Sequence, residues 1–192
     1  MPEEYGPHEV RDKFHNALRE LKQYIALAIV EAPKYQQTNI EIIKELTERN
    51  ATPGVYVTLN RPYENLRTEF EAEHIDTRMI IFIDAVTETA GGKTEKTESC
   101  LFIGSPQNLS DISIAMDQAV RAVPGKEKFL FFDSLNTLLI YNAVGTVARF
   151  IHFLATKMRV WGVKGIIISL QKESNKELID EIEQLCDRRI DF

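Results

Sequence analysis

Along the chain, uninterrupted apolar runs alternate with segments whose apolar residues recur every three or four positions. The runs are Tyr24 to Val30, Gly54 to Leu59, Met79 to Asp84, Cys100 to Ile103, Lys128 to Asp133 and Gly165 to Leu170. Each is short, rich in β-branched and aromatic residues, and apolar at consecutive positions, which predicts strands buried on both faces. Between them, Val10, Phe14, Leu18 and Leu21 predict a helix over 8–22, and Ile40, Ile43 and Leu46 one that ends near Arg49. Tyr63, Leu66 and Phe70 mark another helix. Ile112, Ala115, Met116, Ala119 and Val123 face inward from one over 110–123. Val144, Val147, Ile151, Leu154 and Met158 do so over 143–161, and Leu178, Ile182 and Leu185 over 175–186. Pro53-Gly54, Pro124-Gly125 and Gly162 punctuate the helix ends.

Strands that meet apolar side chains above and below require helices on both faces of the sheet, so the pattern predicts an α/β fold with a mostly parallel central sheet. No repeat or linker divides the chain. Residues 1–23 read as an amphipathic helix packed on the domain, and 24–192 as that single domain. Residues 87–99 are polar, carry Gly91 and Gly92 and lack an apolar period, which predicts an exposed, mobile loop. Thr38-Asn39-Ile40-Glu41 has the spacing of a capping box and predicts that a helix starts at Thr38.

Composition narrows the picture. A chain of 192 residues with 44% hydrophobic content suffices for one full core. Its 23 basic and 29 acidic residues give a net charge of −6, which opposes a broad nucleic-acid footprint. Cys100 and Cys186 show no paired spacing and read as reduced, structural thiols. The four histidines, His8, His15, His74 and His152, are scattered and give no zinc spacing. No signal-peptide pattern or membrane-length apolar run is visible, so a soluble cytoplasmic protein is expected.

The order of parts resembles the RecA-like ATPases and, within them, the KaiC-like proteins. The resemblance covers roughly 24–192. It rests on Gly54-Val55-Tyr56-Val57-Thr58-Leu59, on Phe131-Phe132-Asp133-Ser134-Leu135 and on Gly162-Val163-Lys164-Gly165-Ile166-Ile167-Ile168-Ser169. It implies a RecA-like sheet with a nucleotide site at the carboxyl ends of the strands.

Three positions carry that family's chemistry. A phosphate-binding loop wraps phosphates with glycine amides and a lysine. Here Glu31, Lys34 and Gln36 stand where the family has glycines, Gln37 takes the place of the lysine, and Thr38 alone matches, at the magnesium position. Asn60-Arg61 occupy the place of the acid that prepares the attacking water. Asp133 keeps the strand-end carboxylate that holds magnesium through water. Thr38 is also explained as a helix N-cap, and Asp133 as a residue that turns the chain. Gly92-Lys93-Thr94 looks like the tail of a phosphate loop but has no apolar-periodic helix after it.

The resemblance therefore implies a catalytically inactive RecA-like domain kept as a regulatory or protein-interaction module. It would have no resident cofactor, and its partner would be another protein, a second copy or an active KaiC-like paralogue. The alternative is a nucleotide switch that holds ATP or ADP with magnesium on Lys34, Gln37, Thr38 and Asp133, with little turnover. In that case Thr38 and Asp133 are the metal ligands. Membrane association is not expected. The helix at 8–22 is a candidate adhesive element.

Overall fold

Every apolar run becomes a strand. The computed structural model describes residues 6–95, 97–171 and 175–192, so Lys96, within the loop expected over 87–99, lies outside the described residues. The strands are β1 (Tyr24–Val30), β2 (Gly54–Thr58), β3 (Ile80–Asp84), β4 (Cys100–Phe102), β5 (Phe129–Asp133), β6 (Lys164–Leu170) and β7 (Arg188–Asp191). They form one sheet in the order β4-β3-β2-β5-β6-β1-β7. Every pairing is parallel.

The helices are α1 (Pro7–Leu18), α2 (Tyr35–Lys44), α3 (Tyr63–Ala72), α4 (Leu109–Ala122), α5 (Leu135–Tyr141), α6 (Val144–Trp161) and α7 (Lys176–Glu183). Strand alternation sorts them onto two layers. Ile25, Leu27, Val55, Val57, Leu130, Phe132 and Ile167 face a core closed by α4 to α7. Ala26, Ala28, Tyr56, Phe129, Phe131, Ile166 and Ile168 face a second core closed by α1 to α3. Helices thus cover both faces, as continuous apolar strands demand.

On α1, Val10, Phe14 and Leu18 are buried. Each is worth roughly 1.5–3 kcal/mol, whereas an exposed ion pair contributes at most about 1 kcal/mol. The apolar stripe therefore does more to hold α1 down than the Arg11 pair with half-exposed Glu48. The helix ends at Leu18, short of the expected residue 22, and the Arg19 N–H bonds back to the His15 carbonyl at 2.8 Å.

Three further expectations change, while the winding to Arg49 is as expected. Thr38 caps no helix: α2 already begins at Tyr35, after a tight turn at Ala32–Lys34, and Thr38 is buried inside it. Beyond α2 the chain keeps coiling over Glu45–Arg49 with a widened turn, in which the Asn50 N–H reaches the Glu45 carbonyl. Val144 opens α6 and is 43% exposed, so Val147 is the first residue of that helix to face inward. Two elements, α5 and β7, were not expected at all.

Gly162 ends α6 in the left-handed region, at φ +65°. Only glycine enters that region without a steric cost, so Gly162→Ala is expected to destabilise by about 1–2 kcal/mol in urea unfolding. Gly54 serves a different purpose, because a Cβ there would lie 2.3 Å from the Phe129 ring. No helix among the described residues is long and apolar enough to cross a membrane.

Candidate functional site

Asp133 closes β5 in the middle of the sheet. Its parity puts it on the face of Phe129 and Phe131, towards α2. β2 pairs with β5 so that Tyr56 lies beside Phe131, and the two rings stack at 4.8 Å and 15°. That stack delivers the Tyr56 hydroxyl to Asp133 Oδ2 at 2.5 Å. From the other side, Tyr35 at the start of α2 donates its hydroxyl to Asp133 Oδ1. The Tyr35 oxygen in turn accepts from Asn60 Nδ2 at 2.8 Å.

Both carboxylate oxygens are therefore taken by phenols. Burial drives the Tyr35 and Tyr56 hydroxyls far above the ordinary phenol range, and the Asp133 charge adds to it, so each stays a proton donor. Burial also pushes the Asp133 carboxyl up to about 6, although Tyr35, Tyr56, Asn39 and Arg61 each pull it back.

The stretch over 31–38 is wound rather than open. The Lys34 N–H donates to the Glu31 carbonyl at 2.9 Å, the Tyr35 N–H to the Ala32 carbonyl, and Pro33 has none to offer. Phosphate cradles depend on amides that point outward in a row. The side chains are engaged as well: Lys34 lies 3.1 Å from Glu31, and Gln37 donates to Glu41 at 2.8 Å. Of the four expected site residues, Asp133 belongs to the strand-end cluster with Tyr35, Tyr56 and Asn60. Among the described residues no hydrogen bond or ion pair joins Gln37 or Thr38 to it.

Asn60 and Arg61 also have structural duties. Asn60 holds Tyr35, and Arg61 pairs with Glu69 at 2.5 Å. Next to them the buried Asp84 ends β3 and accepts from the N–H groups of Tyr63, Val86 and Thr87 and from the Thr87 hydroxyl, at 2.6–2.9 Å. It is a saturated turn anchor. Gly92-Lys93-Thr94 lies in irregular chain, and no helix follows it among the described residues 95 and 97–99. Burial raises both thiols, Cys186 to about 12 and Cys100 further, which leaves neither reactive. Among the described residues no group of three or more His, Cys, Asp or Glu is placed to hold a metal ion.

Tyr35 and Tyr56 were not singled out from the sequence. The available signal was a tyrosine, bulky and hydroxyl-bearing, within the glycine-free stretch 31–38.

Residues 32–192 match a family of unknown function, DUF7504. The chain belongs to that family. No curated protein is similar enough to this DUF7504 chain to match it. Among solved structures it is similar to a KaiC-like protein of the hyperthermophilic archaeon Pyrococcus horikoshii OT3, at 17% identity and a TM-score of 0.60 over 88% of this chain and 71% of the other. It is also similar to an uncharacterized protein of Pyrococcus horikoshii solved in complex with an unknown peptide, at 11% identity and a TM-score of 0.63 over 94% of this chain and 82% of that one. At these identities the likeness shows the fold: this DUF7504 domain has the RecA-like architecture of KaiC-like proteins.

Proposed function

We propose that this chain is a catalytically inactive RecA-like domain that acts as a regulatory or protein-interaction module. The observation that carries the reading is the double capping of Asp133 by Tyr35 and Tyr56. A magnesium-bound water would need the carboxylate oxygens that these phenols hold, and phosphates would need the amides that the turn at Ala32–Lys34 consumes. The residues present do not fit a magnesium nucleotide. Two substitutions that the resemblance identifies, Gln37 for the lysine and Asn60-Arg61 for the acid, support the same reading from the side of turnover. A structural neighbour of the same fold was solved with a peptide bound, and protein contact is the role we assign to this chain.

Calorimetric titration with Mg-ATP and Mg-ADP tests it. The expected result is no saturable heat with the wild-type protein and no phosphate release over hours. Saturable binding that weakens in Asp133→Ala would replace this reading with a nucleotide switch.

A further inference from the structure

The two edges of the sheet are guarded very differently. β7 carries Arg188, Arg189 and Asp191, three exposed charges on four residues, and such charges discourage another chain from pairing there. β4 is Cys100-Leu101-Phe102, with no charge and no proline.

The backbone of β4 is committed on one flank only. Ser99 O accepts from the Phe82 N–H and the Ile103 N–H donates to Asp84 O, both at 2.8 Å, so residues 99, 101 and 103 direct their backbone groups at β3. The N–H and C=O groups of Cys100 and Phe102 then point away from the sheet. No backbone hydrogen bond among the described residues reaches them.

Beside this flank lies a groove of about 460 Å³ between β4 and α4. Its floor is Leu101 and Ile103, which are half-buried, and its wall is Ile114, which is 57% exposed. Glu88, Asp111 and Gln118 stand at its rim, and among the described residues no Lys, Arg or His lines it. Glu88 accepts a bond from the Thr94 hydroxyl, and neither carboxylate makes an ion pair among the described residues.

We propose that the outer flank of β4 and the adjoining face of α4 form a docking groove for an extended partner segment in which apolar residues alternate with Lys or Arg. The segment adds to the sheet as a further parallel or antiparallel strand. Main-chain bonds to Cys100 and Phe102 supply the register, Ile114 and Leu101 bury the apolar side chains, and Glu88 and Asp111 attract the basic ones. A second copy is the poorer occupant, because pairing β4 with β4 would bring the acidic rims of two chains together, each of net charge −6. The inference rests on the interaction role proposed above and names its partner class.

The probes are acetylated peptides of about eight residues, valine alternating with lysine in one and with glutamate in the other, titrated by fluorescence anisotropy. The lysine peptide is expected to bind at least about tenfold more tightly, and Asp111→Lys to reverse that preference. Binding of the lysine peptide should slow amide exchange at Cys100 and Phe102. Ile114→Lys, at an exposed position that the fold tolerates, should weaken it about tenfold or more. Equal affinity for both peptides, absence of binding, or unchanged exchange at β4 would overturn the assignment. A dimer in sedimentation equilibrium that Ile114→Lys disperses would overturn it too, by giving the groove to a second copy. None of these results touches nucleotide binding, so failure here and failure of the inactive-domain reading are separable.

Discussion

Truncating Phe131 to alanine is expected to lower the unfolding free energy by about 3–5 kcal/mol, measured by urea or guanidinium denaturation. Phe131 is fully buried at the centre of the sheet, between β2 and β6. Its ring stacks on Tyr56, and Tyr56 in turn packs edge-on against Phe70 at 5.5 Å. Removing it opens a cavity that a parallel sheet, held by hydrogen bonds on both sides, is poorly able to close. It also frees the Tyr56 ring whose hydroxyl holds Asp133. The loss should therefore lie towards the upper end of that range and should couple to Tyr56→Phe in a double-mutant cycle. Phe153 is 43% exposed on α6, and Phe153→Ala provides the control, with a loss within about 1 kcal/mol. Similar losses from both variants would show that stability does not reside in the sheet centre.

The same contrast explains what could be read in advance. β1 was legible because all seven of its residues are buried and the sequence shows them as one apolar run. β7 was not, since only Ile190 of its four residues is buried and the rest are charges suited to an edge. Helix α5 escaped because its pattern has no apolar stripe: Leu135 and Leu138 are buried while Ile140 is 76% exposed. The Thr38-Glu41 spacing misled for a physical reason, because a capping box signals a helix start only where the backbone before it is extended, and here the tight turn over 32–34 had already begun the winding.

The candidate site was half legible. Asp133 stood out as a strand-end acid, but its partner Tyr35 lies 98 residues away, and local periodicity carries no information about such a pair. Sequence could show that residues 31–38 carry no glycine. It could not show that the Tyr35 hydroxyl, from within that stretch, reaches the Asp133 carboxylate. That contact has an electrostatic setting, because a carboxyl buried among phenols is costly to ionise.

Asp133→Asn should therefore change how stability depends on pH. The Asp133 carboxyl titrates near 4 in the unfolded chain and is pushed up to about 6 in the folded one, principally by burial. The folded state thus holds its proton more tightly than the unfolded state does. The contribution is fully present below the unfolded value and is lost as pH rises through about 6, which amounts to a loss on the order of 3 kcal/mol by neutral pH. Asparagine keeps an acceptor for one phenol and has no charge to bury. In unfolding titrations from about pH 4 to pH 8, the variant should gain on the wild type by that amount as the pH rises. Tyr35→Phe removes a donor that favours the ionised form, so its steep region should lie at higher pH than that of the wild type. Parallel stability curves for wild type and Asp133→Asn would mean that Asp133 is already ionised at ordinary cost, and that cations or water, rather than two phenols, surround it in solution.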